Sequence, residues 1–449
     1  MPFPAGFAWG TATSSYQIEG AVAEDGRGTS IWDTFAHGPG NVANGEDADV
    51  ACDHYHRWAD DVDLIASYNL TAYRFSLSWP RIQPDGRGAP NQRGLDFYRR
   101  LVDRLVERGV DPVATLFHWD LPQALQDDGG WQNREIGERF AEFAAIVYEA
   151  LGDQVARWIT HNEPWCTAAL GHRIGIHAPG IRDAAAEFRV AHHVLRSHGL
   201  AVEAYQASGL AAPIGIALNL YPTYPHDETD ADRRAAVLSD AYTNRWYLDP
   251  VLRGSYPADL LEYVAARFPT EWMRDGDVER MAQPIDFLGV NYYSRHVVRA
   301  PREGEAAEFP WVHRSKAAPG VPTSTMGWEV VPECLLDLLL RLDSDYGPIS
   351  LMITENGCSL DDSIAADGAV HDAGRIEFYR THLAAVEEAI ARGVDVRGFL
   401  AWSLMDNFEW SEGYRPRFGL TYVDYATQRR IPKDSARWLS EVARRNALP

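Results

Sequence analysis

The sequence predicts an α/β fold: a closed (β/α)8 TIM barrel of parallel strands, with long loops at the strand ends forming a cleft. Three observations carry this. Eight short apolar runs, at residues 7–11, 72–77, 113–118, 157–162, 213–220, 285–291, 349–355 and 397–402, recur along the 449 residues. Amphipathic stretches at 94–108, 135–152, 184–208 and 375–392 lie between them, and alternating strand and helix implies parallel strands joined by right-handed crossovers. Residues with chemistry to offer stand where the runs end: Arg74, His118, Asn162, Glu163, Asn291, Glu355 and Trp402. In a barrel that rim holds the active site. A doubly wound open sheet is the competing arrangement. The whole span 1–449 reads as one domain, since barrels with long loops commonly exceed the average domain length.

Taken in order, the elements add detail. Residues 51–64 read as a helix carrying Cys52-x-His54-x-His56. Positions two apart do not share a helix face, so these three do not converge as metal ligands must, and no metal site is expected. At the fourth run Pro164 cannot continue a ladder and ends the strand at Glu163. Residues 291–346 form a long insertion with weak periodicity, its part 300–322 polar and rich in Pro and Gly; such loops build cleft walls. At the seventh run Gly357 permits a tight departure after Glu355.

Composition excludes several classes. The net charge of −22 opposes nucleic acid and anionic membranes. No apolar run approaches a membrane span. The N-terminus lacks a basic region followed by an apolar one, so no secretory signal is expected. Four irregularly spaced cysteines, Cys52, Cys166, Cys334 and Cys358, fit a reduced, cytoplasmic protein rather than a disulfide scaffold. There is no Gly-x-Ser-x-Gly, no Gly-x-Gly-x-x-Gly, no Walker loop and no His-Glu-x-x-His, so no cofactor is implied. Fifteen Trp, 20 Tyr and 16 Phe suit a core and equally suit stacking on sugar rings.

Two rim carboxylates stand out: Glu163 in Thr160-His-Asn-Glu-Pro164 and Glu355 in Ile353-Thr-Glu-Asn-Gly357. Cleavage of a glycosidic bond with retention needs two carboxyl groups about 5–5.5 Å apart, one attacking and one protonating the leaving oxygen. Charge on Glu355 would raise the pKa of Glu163 and keep it an acid, while Arg74 on the second strand would hold Glu355 ionised. Singly, each is more simply read as a solvated rim residue.

Further motifs give these glutamates a context. Phe7-Ala-Trp-Gly-Thr-Ala-Thr-Ser-Ser-Tyr-Gln-Ile-Glu-Gly20, Tyr73-Arg-Phe-Ser-Leu-Ser-Trp79, Phe117-His-Trp-Asp-Leu-Pro122, Asn162-Glu-Pro164 and Thr354-Glu-Asn-Gly357 together resemble glycoside hydrolase family 1, the β-glucosidases and their relatives, over essentially the whole chain. The resemblance implies Glu163 as acid/base and Glu355 as nucleophile. It implies Asn162 on the sugar 2-hydroxyl, with Gln17, His118 and Glu409 on the others. Trp402 would floor the glycone, Trp410 would donate its indole N–H, and Tyr293 would position the nucleophile. Trp328 would stack on the aglycone, with Trp165, Cys166 and His177 as further aglycone-side candidates and Arg74 and Asn291 in support. His118 and Trp402 also read as core residues, and Trp165 and His177 as packing.

The substrates so implied are β-glucosides, extending to β-galactosides, β-fucosides and short β-linked oligosaccharides of the kind met in cellulose breakdown. A 6-phospho-β-glucosidase is the alternative. Glu409 and Glu412, in Asn407-Phe-Glu-Trp-Ser-Glu-Gly-Tyr414, would repel a phosphate, and nearby Arg415 and Arg417 are assigned to structure. A non-catalytic sugar-binding relative would not need both glutamates, and a barrel lyase or aldolase would need a rim lysine or metal. The preferred glycone, the aglycone and the oligomeric state, a homo-oligomer included, stay open at this level.

Overall fold

The computed structural model describes residues 2–449. Eight parallel strands close a barrel: β1 (Ala8–Ala12), β2 (Ala72–Ser76), β3 (Asp111–Phe117), β4 (Arg157–Asn162), β5 (Ile214–Asn219), β6 (Phe287–Asn291), β7 (Ser350–Asn356) and β8 (Val396–Trp402). Each predicted run is one of them, and the open sheet is excluded because β1 pairs with β8, Ala8 opposite Gly398 and Ala12 opposite Trp402. The third strand starts earlier than its apolar run, at Asp111, and takes Pro112 near its start.

The four predicted helical stretches are the helices Gln92–Glu107, Ile136–Leu151, Ala184–Ser208 and Ala373–Ala391. The outer helices bury one face on the strands, and this single apolar layer encloses side chains such as Trp79, Trp131, Trp158 and Trp246. Inside the barrel a second cluster of Ala8, Ala72, Val113, Ile159, Ala217, Phe287, Met352 and Leu400 fills the lower lumen and runs up to Tyr293, Trp402 and Phe418 at the rim. The lumen is therefore a packed plug that supports the site from below. Among the described residues no helix is long and apolar enough to cross a membrane, and all four cysteines are free and buried.

The long insertion is more ordered than its composition suggests. Its first part pairs His296–Arg299 with Thr223–Pro225 and Val312–His313 in a small sheet outside the barrel. Its last part is the helix Pro332–Tyr346, opened by a proline at the first turn, where the missing N–H costs nothing. Of the segment expected to be helical at 51–64, the helix starts only at His54 and runs to Ser67, so Cys52 precedes it. There Cys52 Sγ points to the Asp406 carbonyl (3.1 Å), His54 to Asp61 (2.9 Å) and His56 to Asp53 (2.6 Å), so these side chains diverge.

Candidate active site

The rim residues meet because neighbouring strands stay paired up to the rim, with a register shift just before Asn162 where β4 meets β5 and just before Glu355 where β7 meets β6. Arg74 lies opposite Ala12 and Val113, Asn162 opposite Ala217, and Asn291 opposite both Asn219 and Glu355. Side chains from β2, β4, β6 and β7 thus converge over the plug.

Arg74, fully buried, organises the floor. Its Nη1 donates to Glu355 Oε1 (2.7 Å) and to the Thr354 carbonyl (3.1 Å), its Nη2 to Asn162 Oδ1 (2.7 Å) and its Nε to Thr115 Oγ1 (3.0 Å). Tyr293 donates its hydroxyl to Glu355 Oε2 (2.8 Å). Both oxygens of Glu355 are therefore held by fixed donors, which sets the carboxylate plane.

Glu163 is placed differently. β4 ends at Asn162, yet the Glu163 N–H still donates to the Ala217 carbonyl (2.9 Å). The residue then turns to φ +50°, a left-handed conformation that a side chain adopts only at a cost of order 1 kcal/mol. Pro164 follows this turn. Glu163 Oε1 accepts from Asn291 Nδ2 (2.7 Å), and its Oε2 lies 3.0 Å from Cys166 Sγ. Asn291 also donates to Asn162 Oδ1 (2.9 Å) and accepts from Thr354 Oγ1 (2.6 Å). With two donors on its oxygen, Asn162 turns its amide nitrogen toward His118 Nε2, 3.0 Å away. Gly357 serves in another way than its position suggests. It needs no left-handed turn; a Cβ there would lie 1.9 Å from the Trp402 carbonyl oxygen, so the absent side chain lets β7 and β8 close up.

The two carboxyls differ electrostatically. Burial pushes Glu163 up to about 7, and the charge of Glu355 adds to this; the bonds from Asn291 and Cys166 oppose it only partly. Burial also raises Glu355, but Arg74 and the Tyr293 hydroxyl pull it back. Of the two, Glu355 alone has a cation in contact. The pair therefore holds its proton on Glu163 and its charge on Glu355.

Above the floor lies a cavity of about 300 Å³ whose walls include His118, Glu163, Tyr293, Trp328, Glu355, Trp402, Glu409 and Trp410. His118 lies nearly parallel to both Trp402 and Trp410, ring centres 5.9 Å apart in each case. Gln17 does not line the cavity; its amide donates to the Asn407 side chain (3.0 Å), the Phe408 carbonyl (2.9 Å) and Glu409 Oε2 (3.5 Å). Trp165, Cys166 and His177 also line the cavity, Cys166 against Glu163. Trp119, inside the Phe117–Pro122 motif, lines it as well, as do Tyr221, Met326 and Phe418, which belong to no motif. Thr354, inside the Thr-Glu-Asn-Gly motif, and Thr115 have supporting roles that the sequence does not signal, because a β-branched strand residue reads as filler.

Glu409 corrects one step of the charge argument. Burial, with Glu355 and Glu163 nearby, pushes it up to about 8, so it repels a phosphate less than an exposed carboxylate would. The loop offers a phosphate no free cation either: Arg415 pairs with Glu412 (3.0 Å) and Arg417 with Asp406 (2.6 Å).

The chain is similar to known proteins over essentially its whole length. The family model described as "Glycosyl hydrolase family 1" matches residues 1–448. The chain is 46% identical to "Beta-glucosidase A" of Thermotoga maritima over 447 residues, covering 99% of this chain and 98% of that one. It is also 46% identical to the "Bifunctional beta-D-glucosidase/beta-D-fucosidase" of Bifidobacterium breve, covering 98% and 97% respectively. The crystal structure of the Thermotoga maritima β-glucosidase in complex with glucoimidazole superposes with a TM-score of 0.95 at 46% identity, covering 100% of each chain.

Proposed function

The chain belongs to glycosyl hydrolase family 1, and from that premise we propose that it is a retaining β-glucosidase working by double displacement. Glu163 gives its proton to the glycosidic oxygen while Glu355 attacks the anomeric carbon, and the bond to the aglycone breaks. Glu163, now a carboxylate, then takes a proton from water, which attacks the glycosyl–Glu355 ester and releases sugar of retained configuration. Asn162 and His118 face the sugar hydroxyls, Gln17 orients Glu409 toward them, and Trp402 and Trp410 pack against the ring. Asn291, Arg74 and Tyr293 position the two carboxyls, and Trp328 meets the aglycone.

The observation that carries this reading is the asymmetry of the carboxyl pair: one ion-paired to Arg74 at 2.7 Å, the other without a cation and pushed up to about 7. It is the arrangement an acid and a nucleophile require of each other. The substrates are neutral β-glucosides, with β-fucosides and β-galactosides as neighbours in range, and short β-linked oligosaccharides such as cellulose breakdown supplies. The span 1–449 acts as one unit, needs no cofactor, and works in the cytoplasm on diffusible substrates, as a monomer or a homo-oligomer. The phosphoglycoside alternative is disfavoured by the paired state of Arg415 and Arg417.

The test is nitrophenol release from p-nitrophenyl β-glucoside, β-galactoside, β-fucoside, α-glucoside and β-glucoside 6-phosphate, with proton NMR of the first-formed sugar. Turnover of the neutral β-glycosides with β-sugar appearing first is expected. α-Sugar appearing first would overturn retention, and turnover of the phosphate alone would overturn the neutral reading.

A further inference from the structure

Beside the cleft lies a second hollow of about 230 Å³, sharing Trp165, Tyr221 and Trp328 with the cavity above the carboxyl pair. Its wall carries Arg295, Arg314 and Lys316. Three cations on one small wall are out of keeping with a chain of net charge −22. Lys316 is the more telling, because the sequence contains only two lysines. The other, Lys433, is buried between Asp362 and Asp406 at 2.6 Å from each. Lys316 stands exposed on the hollow, without an ion-pair partner among the described residues.

The acidic residue of this wall does not neutralise it. Glu329 is buried; its Oε2 accepts from Arg295 Nε (2.8 Å), and its Oε1 from Arg314 and from the Ala318 N–H (2.6 Å). One carboxylate, saturated with donors, thus faces two guanidinium groups and leaves the ammonium of Lys316 unopposed. Flat apolar surface completes the hollow: the Tyr221 and His296 rings are stacked, centroids 4.4 Å apart.

We propose that this hollow is an anion-accepting extension of the aglycone side, which selects β-glucosides whose aglycone ends in a carboxylate. The inference rests on the β-glucosidase reading and deepens it. The glycone and scissile bond would occupy the main cavity. The aglycone ring would pass between Trp165 and Trp328, and its carboxylate would reach Lys316 and the outer edges of the two arginines. The site is open to solvent, so its effect belongs to binding and follows the scale of an exposed ion pair, about fivefold in affinity.

The experiment compares 4-(2-carboxyvinyl)phenyl β-glucoside with its methyl ester, in the wild type, Lys316→Gln and Lys316→Arg. The ester is the more electron-withdrawing leaving group, so chemistry alone favours it, and a preference for the acid must come from binding. The wild type should show a KM for the acid about fivefold below that for the ester. Lys316→Gln should abolish that preference and Lys316→Arg keep it. Raising salt from about 0.05 to about 0.5 M should erode it. The KM for p-nitrophenyl β-glucoside should stay unchanged in all three proteins. Equal acid-to-ester ratios in wild type and Lys316→Gln would overturn the subsite while leaving the glucosidase reading intact. Wild-type enzyme that cleaves none of the three glucosides would overturn the glucosidase reading and the subsite with it.

Discussion

The floor of the cleft and its mouth are built by different means. On the floor the side-chain polar atoms of Arg74, Asn162, Asn291 and Glu355 are tied at 2.6–3.1 Å to residues of other strands or of the turns just beyond them. At the mouth, Trp165, Trp328, Met326 and Tyr221 offer surfaces on loops and on the inserted segment, with few polar ties. A floor fixed by barrel register can hold charge in a set place, which is what catalysis uses. A mouth on loops can change shape without disturbing that charge, which is what substrate choice uses.

The sharpest test of the floor is Glu355→Ala. Removing the nucleophile while Arg74 and Tyr293 remain should lower kcat roughly 10⁵-fold, with an unchanged circular dichroism spectrum. Turnover near wild type would end the assignment. Next, Glu163→Ala should lower kcat/KM about 10²- to 10⁴-fold for glucosides with poor leaving groups and much less for dinitrophenyl β-glucoside, whose departure needs no proton. An equal loss on both substrates would mean that Glu163 does not act as the acid.

A milder probe is pH. Activity requires Glu163 protonated and Glu355 ionised. It should therefore fall as pH rises through about 7, the value to which burial and Glu355 push Glu163. It should also fall as pH drops through the pKa of Glu355, which burial raises from its ordinary value. The Cys166 thiol donates to Glu163 and favours its ionised form, so Cys166→Ala should move the alkaline limb of kcat/KM upward and leave the acid limb in place. An alkaline limb that does not move, or moves down, would show that the thiol is only packing.

How far this was legible in the sequence follows the same division. The barrel strands were visible because each is an apolar run and most of them end in a reactive residue, and strand pairing then brought Arg74, Asn162, Asn291 and Glu355 together. The supporting contacts were hidden. Thr354 looks like any strand threonine, although its hydroxyl orients Asn291. Cys166 carried a signal in its spacing: it follows Glu163 by three residues, the spacing at which a residue just before a helical segment meets the end of its first turn. The inserted sheet was invisible because its strands are only two to four residues long, too short for alternation to register. The burial of Glu409 was hidden for another reason: sequence reports that a carboxyl is present but not how deeply it is buried.

The smallest expected effect is the one that tests whether floor and mouth are separable. Trp328 is half-buried and packs its ring against Tyr293 (centroids 5.3 Å apart) and Phe418 (6.1 Å). Tyr293 in turn holds Glu355, so Trp328 is where the two regions touch. If the mouth only binds, Trp328→Ala should raise KM for aryl β-glucosides about threefold to tenfold through lost stacking. The kcat should stay within about twofold, since the Tyr293–Glu355 bond has its own support from Arg74 on the opposite oxygen. If instead kcat falls in step with the rise in KM, the ring is propping Tyr293 against the nucleophile. The mouth would then be part of the catalytic frame, and changes of aglycone preference could not be made there without loss of rate.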